Sequence, residues 1–246
     1  VKEGYYILAD LRGRRCVVIG GGSLATRKVD ALCRCGADVH IVAPDICDTL
    51  AERTDVVIHQ KEYEKSELEK AVIAFACTDI RQLNEQISAD CREMGVLCNV
   101  VDDPELCDFT VPAVLKRGPI QIAVGTAGAS PYLAGRIRDL IGGWIDRAYE
   151  PFARKLAALR PIIINRVERP DKRKSIFQQL AGRESFDRFK REGNEAWCEW
   201  ISQTVEGRLS RDEIVNYTTV AAQRFDRQDT SVCQPGDEKK SPGEAV

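Results

Sequence analysis

Through the first hundred residues, short β-branched apolar runs alternate with stretches whose apolar positions recur every three or four residues. The runs CVVIG (16–20), DVHIVAP (38–44), DVVIHQ (55–60), AVIAFAC (71–77) and VLCNVV (96–101) predict five strands. Between them, SLATRKVDALCRCG (23–36) predicts a helix closed by Gly36, and KSELEKA (65–71) a shorter one. DIRQLNEQISADCREMG (79–95) predicts an amphipathic helix ending at Gly95. Strands separated by helices at this spacing predict an α/β unit, a parallel sheet with crossover helices.

After residue 101 the period changes. DDPELCDFTVPAVLKRGPIQIAVGTAGASP (102–131) carries two or three short strands punctuated by Pro and Gly, with no crossover helix. PYLAGRIRDLIGGWIDRAYEPFARKLAALR (131–160) reads as helix interrupted at Gly142-Gly143. Further helical patterns follow in IIINRV, RKSIFQQLAG, ESFDRFKREGNEAWCEWISQTVEG and SRDEIVNYTTVAAQRF. The polar stretch 226–246 is expected to be a disordered tail.

Composition narrows the function classes. The chain has 246 residues, 43% of them hydrophobic, enough for one large domain or two modest ones. With 36 basic and 38 acidic side chains, the net charge of −2 argues against a nucleic-acid or polybasic membrane role. No apolar run approaches the roughly 20 residues that span a bilayer, and VKEGYYILAD lacks the pattern of a signal peptide. A soluble cytoplasmic protein is expected. Ten cysteines without a CxxC pair fit reduced packing residues. The two histidines, His40 and His59, fall in predicted strands, which disfavours a histidine-rich metal site or a Ser-His-Asp triad. No metal-ligand set is expected.

The first candidate chemistry is the turn after the first strand. Gly20-Gly21-Gly22-Ser23-Leu24-Ala25 fits GxGxx[G/A], where the first glycine makes the turn and the second admits a pyrophosphate. The small third residue lets helix meet strand, and the helix start offers free N–H groups to phosphate. No Gly-Lys-Ser/Thr follows, so it is not a Walker A loop. The acid expected at the end of the second strand is missing. Pro44 backbone or Asp45 is the candidate to replace it at the adenosine ribose, and without a basic residue there NAD is expected over NADP. Arg27 and Lys28 read as solvated helix charges.

Three segments, GGGSLATRKVDALCRCGADVHIVAP, ACTDIRQLNEQI and CNVVDDPELCDFTVPAVLKRGPIQIAVGTAGASPYLAGRIR, resemble the precorrin-2 dehydrogenase family, the NAD-dependent part of siroheme synthase. The resemblance runs from about Tyr5 to Arg138, and NVVDDPELCDFTVPA is its most diagnostic stretch. It implies that precorrin-2, a tetrapyrrole with eight carboxylate arms, gives up a hydride to NAD to form sirohydrochlorin. Some members also insert iron to form siroheme, with ferrous iron as co-substrate. It implies a Rossmann-type parallel sheet with helices on both faces (1–113), a small α+β dimerisation segment (114–146) and a C-terminal helical domain (147–225). A homodimer follows from the dimerisation segment.

The resemblance places the catalytic aspartate at Asp102, just past the fifth strand, where ligands of open parallel sheets sit. Asp-Asp-Pro is also good turn chemistry. Thr78 and Asp79 follow the fourth strand as cofactor contacts, Asp79 serving equally well as a helix N-cap. Asn99 either orients substrate or pairs with backbone. Thr126, Gly128 and Ser130 lie in a loop where the family usually has a second glycine and this chain has Ala127. Ser130-Pro131 is a helix start either way. Lys116, Arg117 and Arg136, with Arg138, are the cations to meet substrate carboxylates, or are solvated surface charges. Two other readings remain: an NAD-sensing regulatory module without catalysis, and a chelatase that binds NAD only structurally.

Overall fold

The computed structural model describes residues 4–205 and 209–230, and the chain divides after Val111 into two compact units. The first unit runs β1 (Arg15–Ile19), α1 (Ser23–Arg34), β2 (Asp38–Val42), α2 (Asp48–Ala51), β3 (Val57–His59), β4 (Ile73–Ala76), α3 (Arg81–Met94) and β5 (Leu97–Val100). All five strands are parallel in the order β3-β2-β1-β4-β5. The chain winds outward from β1 to β3, then returns to lay β4 on the other side of β1. That reversal opens a crevice at the carboxyl ends of β1 and β4.

Alternate residues of each strand feed different layers. Val18, Ile41 and Phe75 pack with Ala25 and Val29 of α1, whereas Val17, Ile19, Ala74 and Cys98 pack with Ile87 of α3. Both faces being covered explains why these strands read as continuous apolar runs. Each fully buried Val, Leu or Ile contributes about 1.5–3 kcal/mol. Helix α3 ends at Gly95, whose φ of 70° makes the left-handed cap that the sequence signalled.

The expected 65–71 helix is a single 3-10 turn, Lys65–Leu68. Leu68 is fully buried, and Lys70 takes a φ of 61°, turning the chain into β4 before a second turn can form. Glu67 in this turn is also buried. Its carboxylate accepts from Lys61 Nζ at 2.7 Å and faces His59 Nδ1 at 3.8 Å and Arg15 at 3.9 Å. His59 in turn meets His40, ring nitrogen to ring nitrogen, at 3.0 Å.

The second unit opens with an antiparallel hairpin, β6 (Ala113–Arg117) and β7 (Ile120–Val124). Its two-residue loop needs a positive φ at the first central position, and Gly118 supplies 53°. Five helices follow: α4 (Pro131–Trp144), α5 (Tyr149–Arg166), α6 (Pro170–Leu180), α7 (Arg183–Thr204) and α8 (Arg211–Thr230). The interruption expected at Gly142-Gly143 is not there. Helix α4 runs through both glycines, because a Cβ on Gly142 would lie 3.4 Å from Leu115 of β6. The pair is a notch for the hairpin. The break comes after Trp144, where the guanidinium of Arg117 donates to the carbonyls of Gly142 and Ile145 and finishes the helix.

IIINRV is not a separate helix either. It continues α5 past Pro161, since Leu159 and Ile163 face the same core one turn apart. That core gathers Phe152, Leu159, Ile163, Trp197, Ile201 and Ile214. Trp197 Nε1 donates to buried Ser185 Oγ at 2.9 Å. Helix α7 is kinked at Gly193, where φ is 86°. Helix α8 extends through 226–230, five residues past the expected domain end, and the rest of the expected tail lies outside the described residues.

Candidate active site

The glycine turn follows β1 and opens α1 as its spacing required. Gly20 has a φ of 124°, and a Cβ there would sit 2.4 Å from the carbonyl oxygen of Cys77. Gly21 is equally confined: its Cβ would lie 1.9 Å from the Asp45 carbonyl oxygen. The Cys47 N–H donates to the Gly21 carbonyl at 2.9 Å, so the 44–47 loop is bound to the turn. A Cβ on Gly22 would meet nothing within 4 Å. The fold itself needs the first two glycines, whereas nothing among the described residues needs the third. A ligand backed against the turn would need it.

Ala25 is fully buried in the helix-packing slot. Gly22 caps α1 without a side chain, so Ser23 and Leu24 begin the helix with no side-chain acceptor for its first N–H groups. Those residues fit a dinucleotide phosphate. Beside them, Pro44 and Asp45 are exposed at the end of β2.

At the end of β4, Thr78 makes a small turn. Its hydroxyl donates to Asn84 Oδ1 at 2.7 Å and accepts from the Ile80 N–H at 3.3 Å. Asn84 Nδ2 returns to the Thr78 carbonyl at 2.9 Å. No motif signals this latch: Asn84 is a polar residue buried on the inner face of α3. The N-cap of α3 is Ile80, so Asp79 is exposed and does not cap.

Beyond β5, Asp102 takes a φ of 61° and is exposed. Left-handed backbone is uncommon outside glycine but tolerated by aspartate, and such strain clusters at functional sites. Its carboxylate has no hydrogen-bond or ion-pair partner among the described residues, whereas Asp103 faces Arg81 at 3.7 Å. The loop is held by Cys107, whose thiol accepts from the Val100 N–H at 3.2 Å and donates to the Asp103 carbonyl at 3.3 Å. Burial pushes that thiol up from its ordinary value, keeping it protonated as a donor. Asn99 is buried, and its amide donates to the Phe109 carbonyl at 2.9 Å. Of its two readings, backbone pairing is the one seen.

The remaining candidates lie in the second unit. Thr126 accepts from the Ser130 N–H at 3.1 Å and donates to the Ser130 carbonyl at 3.0 Å, closing the 126–130 loop. Ser130 Oγ accepts from the Leu133 N–H at 3.2 Å with Pro131 in the first turn, the cap that the sequence signalled. Ala127 has a φ of 50° and Gly128 one of 84°. Ala127 therefore holds a conformation that glycine would adopt freely, at a cost of about 1–2 kcal/mol. Arg117 is committed to the end of α4, Lys116 is exposed on β6, and Arg136 is exposed on α4.

In the first unit, the glycine turn, Pro44-Asp45, Thr78-Asp79 and Asp102 follow the carboxyl ends of β1, β2, β4 and β5. The pairings of Ile19 with Val42 and Ala76, and of Ala76 with Val100, put those ends on one edge of one sheet. Such an edge, with an uncapped helix behind an open glycine, defines a dinucleotide-binding protein of the doubly wound α/β class.

An NAD(P)-binding family model matches residues 7–113, and one described as sirohaem biosynthesis protein central matches residues 117–143. The chain is 32% identical over 174 residues to the siroheme synthase of Saccharophagus degradans, covering 70% of this chain and 38% of that one. It is 36% identical over 173 residues to that of Thioalkalivibrio sulfidiphilus, covering 69% and 35%. The chain thus spans well under half the length of these relatives. The solved structure of SirC, precorrin-2 dehydrogenase, superposes with a TM-score of 0.60 at 20% identity, over 91% of this chain and 100% of that one, and shares its fold. Over these segments the chain is similar to the NAD(P)-binding and central parts of siroheme synthases.

Among the described residues, no group of three or more His, Cys, Asp or Glu side chains could hold a metal ion, and no helix is long and apolar enough to cross a membrane.

Proposed function

We propose that this chain oxidises precorrin-2 to sirohydrochlorin, the substrate giving a hydride to NAD and a proton to Asp102 or water. The observation that carries the reading is the shared sheet edge: a turn open to a pyrophosphate on β1 and a carboxylate past β5 without a partner among the described residues, in a chain similar over this region to siroheme synthases. NAD supplies the hydride acceptor when bound. Gly20, Gly21, Gly22, Ser23 and Leu24 hold its phosphates, Pro44 and Asp45 its adenosine ribose, and Thr78 and Asp79 line the same edge. Asp45 favours NAD over NADP, because a carboxylate there repels a ribose phosphate.

The strained backbone at Asp102 keeps the carboxylate out of local hydrogen bonding, ready to take a proton. Lys116 and Arg136 are the cations for substrate carboxylates, with Thr126, Gly128 and Ser130 forming a substrate loop. Arg117 instead fixes the end of α4. Residues 114–146 form the dimerisation segment: Tyr132, Leu140 and Trp144 are exposed on one face of α4, 91%, 50% and 81% respectively, with Arg136 between the first two. A second copy would cover it. A cytoplasmic setting suits the free thiols.

Mixing the protein with precorrin-2 and NAD and following absorbance at 340 nm tests the reaction. NADH should form, and Asp102→Ala should abolish turnover while leaving NAD affinity within about twofold. NAD binding without NADH would leave the sensing module standing. Adding ferrous iron tests whether the same site carries the product on to siroheme, and iron insertion without NAD would favour a chelatase.

A further inference from the structure

Lys28, read from sequence as a solvated helix charge, is half-buried. It lies one turn after Ala25 on the side of α1 that meets the sheet, and its ammonium stands 5.1 Å over the centroid of the Phe75 ring on β4. Phe75 meets Phe109 edge to face at 5.5 Å, and Asn99 pins the Phe109 backbone. The acid nearest on the same helix, Asp30, is paired with Arg53. Lys28 has no carboxylate or carbonyl partner among the described residues. Its charge also reaches Cys77, the residue against which Gly20 turns: burial drives that thiol up to about 12, and Lys28 opposes the rise.

An ammonium is a strongly hydrated point charge, and part-burying it is costly without a counter-charge. The ring attracts the charge but satisfies none of the three N–H donors. With no carboxylate beside it among the described residues, the ammonium is open to an anion from a ligand. The dinucleotide phosphates are not the best fit. The Lys28 stem leans back toward the phosphate-facing end of α1, and what sets its ammonium apart is the sideways displacement onto the Phe75 ring. Its head is over β4, toward the side of the sheet that carries Asn99 and Asp102.

We propose that Lys28 is a substrate-anchoring cation: its ammonium, held over Phe75 beside the carboxyl edge of β4, receives one carboxylate of the tetrapyrrole. This rests on the proposed reaction.

Lys28→Met keeps the stem over Phe75 and removes the charge, and Lys28→Arg restores it. Affinity for sirohydrochlorin and for NAD is measured by calorimetry for each, alongside KM for precorrin-2. Lys28→Met should weaken sirohydrochlorin binding tenfold or more and flatten its salt dependence, raise KM similarly, and leave NAD affinity within twofold. Lys28→Arg should recover most of the loss. Equal sirohydrochlorin affinity in wild type and Lys28→Met overturns the assignment. So does a loss confined to NAD, which would give the charge to a cofactor phosphate. Wild type that binds sirohydrochlorin but makes no NADH refutes the proposed reaction instead, and the comparison of affinities still judges Lys28.

Discussion

Three adjacent glycines look interchangeable in the sequence and are not. Gly21 faces a backbone oxygen that cannot move away without pulling the 44–47 loop off the turn. Gly21→Ala should therefore destabilise the fold by about 2–4 kcal/mol, read by chemical denaturation. Gly22 has an ordinary φ of −93° and open space where a Cβ would go. Gly22→Ala should change stability by less than about 1 kcal/mol, the lost glycine cap offsetting the gain in backbone stiffness. Its NAD affinity should nevertheless fall tenfold or more, about 1.4 kcal/mol by calorimetry. Equal effects of the two substitutions on stability would refute this division of labour. Asp102 and Asp103 show the same contrast. The sequence offers two adjacent acids, and only the structure reveals that one faces an arginine while the other is unpartnered on a strained backbone.

Elements formed where periodicity and punctuation agreed, and failed to form where a neighbour decided. The strands and helices α1 and α3 were legible because each presents a continuous apolar run or stripe closed by glycine. Gly142-Gly143 misled, because a glycine pair marks either a break or a close approach, and Leu115 belongs to a different element. The 65–71 segment shortened because Glu67 and Leu68 both had to be buried within one turn. Glu67 carries a pH signature. Lys61 holds its carboxyl below the ordinary value near 4.5 by donating to it, against the opposing effect of burial. A carboxyl depressed in the folded state contributes stability above its unfolded value, and the contribution is lost as pH falls through 4.5 toward the folded one. Lys61→Met brings the two values together. The fall in unfolding free energy between pH 7 and pH 4 should be smaller in that variant than in wild type. An unchanged acid limb would show that Glu67 draws its stabilisation from elsewhere.

At the scale of the whole molecule, the two units have separate cores and different logics: a parallel sheet under helices, and a helical cluster around Phe152 and Trp197 with a hairpin on α4. A two-stranded hairpin is at best marginally stable alone, and α4 covers only part of it. The opposite strip of α4, with Tyr132, Leu140 and Trp144, carries the expectation of a second copy. Light scattering of the wild type should give twice the chain mass. The double variant Tyr132→Glu, Trp144→Glu should give a monomer that still binds NAD, because the glycine turn belongs to the other unit. A wild-type monomer at all concentrations would sink the dimer.

By itself, the sequence determined the alternation of strands and helices, the direction of the sheet, the glycine turn and the position of the aspartate past the fifth strand. These follow from local periodicity, turn chemistry and short motifs, which act between residues close in the chain. What only tertiary structure decided is which polar groups are already spent: Arg117 on the end of α4, Asn99 on a backbone carbonyl, Asp103 facing Arg81, Lys28 held over an aromatic ring. Each of those outcomes depends on a partner brought close by folding rather than by sequence, and a hydrogen bond or a ring contact is felt only across a few ångströms.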